Sequence, residues 1–324
     1  MGARPRSRDH AVETVSVASR GRGGDAGVSP ATSVVVPVYN DPEGLEQTLA
    51  SLTDQTAADY EVVVVDNGST DRTPAVAREF ADGERVRHVV EDEIQSSYAA
   101  RNAGIEAANG DVIGFLDADM WVDPDYVESI TRLMTDRDRD YVGCRVELVA
   151  GDGAVARYRR ATGFDVETYL REKRFAPTCC LVTRRRVFDA VGRFDSRLRS
   201  NGDLEFGRRV HAAGFDLDYA PDVTVYHPAR STLRDVLSQS ARIGRGRAEL
   251  RAYHGDRFDV RHPLSPRQFL PVNPLALRAR LADAAADPTE AAGWYLIACL
   301  QKWSMAAGHL RERATASADE PDPR

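Results

Sequence analysis

Apolar and polar positions alternate in blocks along the first third of the chain. Residues 33–38 form a β-branched run that passes into Tyr39-Asn40-Asp41-Pro42, and this reads as a first strand and its loop. Leu45, Leu49 and Leu52 then recur at helical spacing. A second apolar run, residues 60–65, ends in the polar loop Asp66-Asn67-Gly68-Ser69-Thr70-Asp71, and the pattern predicts a helix over 72–81. Residues 86–90 predict a third strand, 96–108 a helix bearing Arg101 and Asn102, and 112–116 a fourth strand. Strands alternating with helices in this way predict an α/β fold, a mostly parallel sheet with helices on both faces.

Beyond Asp119 the rhythm changes. The pattern predicts a helix from Pro124 to about 134, a longer strand over 141–149, a helix over 164–173, a short strand over 179–183 and a short helix over 184–191. Another helix opens at Asn201-Gly202-Asp203 and stops near Gly214, and short strands over 217–220 and 223–226 lead to His227-Pro228. Arg230, Arg234, Arg242, Arg245, Arg247 and Arg251 then fall on or near one predicted helix, and a Pro-rich loop over 263–274 precedes a last helical region, 291–310. That region is long enough to span a bilayer, but its apolarity comes largely from Ala and Gly, which favours a buried or interfacial helix. Trp294, Tyr295 and Trp303 would suit a membrane interface.

Composition narrows the class. With 324 residues, 42% hydrophobic and 29% charged, the chain matches an ordinary soluble enzyme, and a net charge of −7 argues against a nucleic-acid partner. Lys173 and Lys302 are the only lysines, so positive charge is carried by arginine, the better bidentate ligand for phosphate. Cys144, Cys179, Cys180 and Cys299 show no Cys-x-x-Cys spacing and read as free thiols in a reducing compartment. Residues 1–31 lack the apolar core of a signal peptide and read as a disordered tail, as do 313–324. The expected organisation is therefore a catalytic domain over 32–230 and a helical extension over 231–312. The expected location is the cytoplasm, with the cytoplasmic face of the membrane as an alternative.

The chemistry concentrates at strand ends. Asp117 and Asp119 follow the apolar run 112–116, two residues apart, so both carboxylates can face one crevice at the carboxyl edge of the sheet. The pair suits a hard divalent cation such as Mg2+ or Mn2+, and it equally suits a solvated polar turn. Neither Gly-x-Gly-x-x-Gly nor Gly-Lys-Ser/Thr follows the first strand, which removes two glycine-rich phosphate cradles.

Four features in order, Val34-Val35-Val36-Pro37-Val38-Tyr39-Asn40, Asp66-Asn67-Gly68-Ser69-Thr70-Asp71, Arg101-Asn102-x-Gly104 and Asp117-Ala118-Asp119, resemble the GT-A glycosyltransferases, in particular the inverting enzymes of family 2. The resemblance covers about residues 32–230. It implies a Rossmann-like GT-A domain that binds a nucleotide-diphospho-sugar with a divalent metal. It also implies that Pro37, Tyr39, Asn40 and Asn67 line the nucleotide pocket, that Asp66 accepts from the base, usually uracil, and that Arg101 approaches the diphosphate or base. Asp117 would contact the ribose or a metal-bound water, Asp119 would ligate the metal, and His227 resembles a histidine that completes the metal or diphosphate site. Gly202-Asp203-Leu204-Glu205 matches the family's acidic motif, with Asp203 as the base and Gly202 in place of its first acid. A helix cap is the plain alternative for Asp203. Arg208 or Arg209 resembles the basic residue that follows, a contact for phosphate or for Glu205. The expected partners are a nucleotide-sugar donor, a glycan or polyprenyl-phosphate-linked acceptor, and a peripheral membrane contact through the arginine-rich stretch and residues 291–310. A nucleotidyltransferase and a non-catalytic sugar-nucleotide-binding module are the other readings. The first of these normally has a Gly-rich loop with a basic residue after the first strand, absent from Pro37-Val38-Tyr39-Asn40.

Overall fold

The structure, a computed structural model, describes residues 31–149, 151–255, 257–258, 260–281 and 287–318. The chain runs β1 (Thr32–Val38), α1 (Pro42–Thr53), β2 (Tyr60–Asp66), α2 (Thr73–Phe80), β3 (Val86–Val90), α3 (Ser97–Ala107), β4 (Val112–Phe115), β5 (Trp121–Val122), α4 (Tyr126–Asp136), β6 (Tyr141–Val149) and α5 (Ala154–Ala161). It continues with α6 (Val166–Thr168), β7 (Leu181–Arg184), α7 (Arg185–Val191), α8 (Gly202–Ala212), β8 (Leu217–Pro228), α9 (Leu233–His254), α10 (Pro274–Arg280) and α11 (Pro288–Ala318). The eight strands form one sheet in the order β3-β2-β1-β4-β7-β6-β8-β5, with helices packed around it.

β1, β2, β3 and β4 pair in parallel, β7 pairs antiparallel with β4 and β6, and β6 and β8 pair in parallel. The mostly parallel α/β expectation therefore holds, and its physical signature is visible in β1 and β2, where Val34–Val36 and Val62–Val65 have no solvent exposure. The chain goes outward from β1 to β2 and β3 and returns to β4 on the other side of β1. That reversal opens a crevice at the carboxyl edge, where the loops after β1, β2 and β4 meet.

Beyond Asp119 several elements depart from the pattern. The two short strands expected over 217–226 are one strand, β8, and its register against β6 jumps from Ala220↔Cys144 to Thr224↔Arg145, so residues 221–223 bulge out. Pro221, which has no N–H to give the ladder, sits in that bulge. The helix expected over 164–173 is the single turn α6 followed by a wide π turn, Tyr169–Lys173, which ends at Arg174 with a left-handed backbone (φ 64°). α5 and β5 had no counterpart in the pattern, because α5 buries only Ala156 and Tyr158 and β5 is two residues long.

α9 and α11 pack on each other at backbone distance. A Cβ on Gly244 would lie 2.0 Å from the Met305 carbonyl oxygen, and one on Gly308 would lie 2.1 Å from that of Ala241. Their pairing forms a second apolar cluster, with Val236, Trp294, Ile297 and Ala298 around Tyr158 of α5. Trp294, expected at a membrane interface, is instead 4% exposed and meets the Tyr158 ring edge-on at 6.2 Å. Tyr295 donates its hydroxyl to the Val272 carbonyl, and of the three aromatics only Trp303 is exposed. No helix among the described residues is long and apolar enough to cross a membrane. The four cysteines are buried free thiols. α11 continues to Ala318, into the tail expected over 313–324, and of the two tails expected over 1–31 and 313–324, residues 1–30 and 319–324 lie outside the described residues.

Candidate active site

The loops after β1 and β2 are tied to each other. Asn40, in a left-handed backbone (φ 50°), donates its N–H to Ser69 Oγ at 2.9 Å, and its Oδ1 accepts from Thr70 N at 2.8 Å. Asp41 caps α1 by accepting from Gly44 N at 3.0 Å, and its own N–H reaches Thr73 Oγ1 at 3.0 Å. Asp66 is 3% exposed and accepts from Ser69 N at 2.9 Å, while Asn67 donates to the carbonyls of Glu91 and Ile94. The polar loops legible in the sequence are thus a rigid rim rather than loose solvent turns.

That rim borders a cleft of about 700 Å3. Of the candidate residues, Pro37, Tyr39, Asn67, Arg101, Asp117, Asp203 and His227 line it. Asn40, Asp66, Asp119, Glu205, Arg208 and Arg209 do not. Glu205 is buried and clasped by Arg209 at 2.8 Å, and Arg209 also donates to the carbonyls of Val191, Gly192 and Arg193, so this pair braces α8 against the end of α7. Arg208 points away, with its guanidinium 4.8 Å from the centre of the Phe258 ring.

The two carboxylates after β4 part company. Asp117 Oδ1 accepts from Arg101 Nη2 at 2.5 Å, which fixes a buried guanidinium at the cleft floor. Asp119 is held above the usual carboxylate range by burial, with Asp117 and Asp41 adding to the effect and His227 and Arg230 opposing it. Pairing of β5 with β8, in the register Trp121↔Tyr226, brings His227 across from Asp119, and Trp121 stacks on Tyr226 at 5.9 Å. His227 Nδ1 lies 4.0 Å from Asp119 Oδ2 and is buried with no hydrogen-bond partner, its ring stacked on Phe164 at 5.9 Å. An unpartnered imidazole nitrogen facing a carboxylate whose bare charge is disfavoured fits a divalent cation. Among the described residues no group of three or more His, Cys, Asp or Glu could hold a metal unaided. Asp119 and His227 could therefore supply only part of a cation's shell, with the rest left to groups from outside the chain.

Asp203 sits in the first turn of α8, reached through Asn201 in a left-handed backbone (φ 66°). It is partly open to the cleft and walled by protein elsewhere, and burial pushes its carboxyl up, against the pull of Arg101 and Arg242. Below it lies Tyr98, whose hydroxyl oxygen accepts from Gly202 N at 2.9 Å and from Asp203 N at 3.3 Å. A Cβ on Gly202 would lie 2.7 Å from that ring, so the glycine is there because the tyrosine fills the space. The far wall comes from the helical extension. Gln239, Arg242, Ile243 and Arg247 share one face of α9, joined by Met305 of α11. Lys173, Arg199 and Arg230 also line the cleft, which is therefore rich in cations despite the acidic chain.

Comparison with known proteins settles the family. The model of glycosyl transferase family 2 matches residues 33–192. The glycosyltransferase AglE of Haloferax volcanii is 36% identical over 237 residues, 72% of this chain and 77% of AglE. The chain belongs to glycosyl transferase family 2. Another member of similar sequence is the pre-mycofactocin glycosyltransferase of Mycobacterium tuberculosis, 31% identical over 69% of this chain and 48% of that one. Among solved structures, a mannosyltransferase from Pyrobaculum calidifontis, PcManGT in complex with GDP-Man and Mn2+, superposes with a TM-score of 0.58 at 21% identity, covering 91% of this chain and 89% of its own. TarS 1–349 of Staphylococcus aureus in complex with UDP-GlcNAc gives 0.52 at 16% identity, over 88% and 92%. These likenesses show the GT-A fold, and with the family they make the chain a glycosyltransferase.

Sequence reading passed over Tyr98, Lys173 and Arg199 as cleft residues of this family 2 enzyme. Tyr98 carried a signal only in retrospect, since its side chain accounts for the odd glycine at 202. Lys173 ends the stretch expected as a regular helix, and Arg199 arrives from a bend with no regular pattern.

Proposed function

We propose that the enzyme is a metal-dependent, inverting glycosyltransferase. The reading assigns it a sugar from a nucleotide-diphospho-sugar, most simply a UDP-hexose, for transfer to a hydroxyl of a glycan or a polyprenyl-phosphate-linked acceptor. Its setting is cell-surface polysaccharide or glycoprotein-glycan assembly at the cytoplasmic face of the membrane. The observation that carries the reading is a carboxylate of raised proton affinity, Asp203, lining the same cleft as the Arg101–Asp117 pair and His227.

Asp203 takes the proton of the acceptor hydroxyl as its oxygen attacks the anomeric carbon. The bond from that carbon to the diphosphate oxygen breaks on the opposite face, and the configuration inverts. Pro37, Tyr39 and Asn67 frame the nucleoside, with Asp66 beneath, and Arg101, held by Asp117, presents positive charge toward the departing diphosphate. Asp119 and His227 would hold the Mg2+ or Mn2+, which when bound neutralises charge on the leaving group as a Lewis acid. PcManGT, whose structure holds GDP-Man and Mn2+, supports the donor and metal classes.

Asp203→Asn is the test. The variant should be stabilised thermally by nucleotide with Mn2+ to the same extent as wild type, and should lose transfer by roughly 100-fold or more. Turnover within a few-fold of wild type would remove Asp203 as the base. Screening UDP-, GDP- and dTDP-sugars in the same melting assay identifies the donor. Asp119→Ala should abolish the increment due to Mn2+, and retention of that increment would place the ion elsewhere.

A further inference from the structure

Large apolar side chains left in water gather in the helical extension. Leu264 is 61% exposed, Phe269 45%, Leu270 58% and Leu275 75%, all within twelve residues of sequence, and Trp303 beside them is 40% exposed. The backbone that carries them is pinned. Trp303 Nε1 donates to the Phe269 carbonyl at 2.9 Å, Tyr295 Oη to that of Val272 at 3.1 Å, and Gln268 Nε2 to that of His262 at 2.6 Å. A 3-10 turn, Pro266–Gln268, turns the chain just ahead of Phe269, and Asn273 caps α10 beyond it. Apolar residues on a floppy loop fold back, whereas here the backbone at Phe269 and Val272 is tied to α11.

Charge on the same stretch is one-sided. From position 260 to 281 the sequence holds four arginines and no Asp or Glu, within a chain of net charge −7. Arg261, Arg267 and Arg278 are exposed. The stretch also connects to the cleft: Arg251 of α9 donates to the Val260 carbonyl at 2.6 Å, and Arg261 lies near enough to oppose the charge of Arg247, a cleft-wall residue. Exposed aromatic and aliphatic side chains interleaved with arginine match the headgroup boundary of an anionic bilayer, where apolar groups enter the acyl edge and arginines meet lipid phosphate.

We propose that residues 260–281, with Trp303, form a docking surface for anionic lipid membrane. This rests on the membrane side of the function proposed above and moves the contact from the face of α11 expected from sequence to the loop and α10 that cover it. The cleft wall formed by Arg242 and Arg247 then lies beside the bilayer, where the phosphate of a lipid-linked acceptor would be presented.

The test is co-sedimentation of the full chain with vesicles of phosphatidylcholine alone and of phosphatidylcholine mixed with phosphatidylglycerol. Wild type should pellet with the mixed vesicles, and less as salt rises. F269S/L270S should weaken partitioning by at least about tenfold, and R267Q/R278Q by roughly fivefold per arginine. Both pairs are exposed, so both variants should melt as wild type does; were the first to melt early, the second decides. No pelleting of wild type, or equal pelleting of both variants, would overturn the proposal. So would concentration-dependent self-association, seen by light scattering and lost in F269S/L270S, since the face would then be a contact between copies. Vesicle binding is scored apart from chemistry. Binding without any sugar transfer counts against the proposed reaction, and transfer to a soluble acceptor without binding counts against the membrane surface.

Discussion

Tyr98 connects Asp203, the proposed base, to the frame of the cleft. Its ring occupies the space a side chain at 202 would need, and its hydroxyl oxygen satisfies two N–H groups that the first turn of a helix leaves without intrahelical partners. Tyr98→Phe removes that acceptor, which should cost about 1–3 kcal/mol by leaving buried N–H groups unpaired. It should also move the acid limb of the pH–rate profile, because the turn bearing Asp203 loses its anchor. An unaltered profile with lowered stability would make Tyr98 structural only. Asp203 itself has a stability signature. Its carboxyl is held above the ordinary range, so the folded state disfavours the ionised form, and the cost grows as pH rises from the ordinary carboxylate value and is complete above the raised folded one. Asp203→Asn should therefore melt at or above the wild-type temperature near neutral pH, with the gap closing under acid conditions. A variant that melted below wild type at neutral pH, with the deficit vanishing in acid, would contradict that sign.

At the scale of elements, β1, β2 and the turn before β4 are held together by one buried carboxylate. Glu61 accepts from Ser33 Oγ at 2.8 Å, from Asn109 N at 2.5 Å and from Arg87 Nη1 at 2.6 Å, and Ser33 Oγ in turn accepts from Gly110 N. Burial alone would raise this carboxyl, yet the bonds from Asn109, Ser33 and Arg87 outweigh it and hold the group below its usual range. That stabilisation is present at neutral pH and is lost as pH falls through the depressed folded value. Glu61→Ala should destabilise by about 3 kcal/mol in neutral denaturant titrations, since it strands its partners, and the difference should shrink in acid. In the sequence Glu61 is merely an interruption in the run Tyr60 to Val65. The strand was legible because its pattern is local; the role of its polar member was not, because three of its partners lie 26 to 48 residues away.

The whole molecule is a sheet domain with a helical pair closing one side of its cleft. α9 is fastened by Glu249, which takes the backbone N–H of Arg199 at 2.8 Å, and by His254, bonded to Asp195 at 2.8 Å. α11 holds α9 from behind through the contacts at Gly244 and Gly308. Gly308→Val should separate these helices and destabilise by about 1–3 kcal/mol or more, read as an earlier thermal transition. If the helical pair is the acceptor wall, the KM for acceptor should rise in that variant more than the KM for donor. Equal effects on both would show that α9 supports the site only in a general way.

Local pattern determined a good deal. The strand–helix alternation, the polar loops at the ends of β1, β2 and β4 and the acidic start of α8 all follow from short-range periodicity and turn chemistry, which adjacent residues encode. Tertiary structure decided what those loops meet. The pairing of β5 with β8 sets His227 against Asp119 over more than a hundred residues of sequence, and Arg101 closes on Asp117 rather than standing free. It also turned Trp294 inward and left Phe269 and Leu270 in solvent, because a helix buries whichever face its neighbour covers, and α5 and α9 cover that of Trp294. Hydrophobicity along a chain says that a face will be buried; only the packing of distant elements says against what.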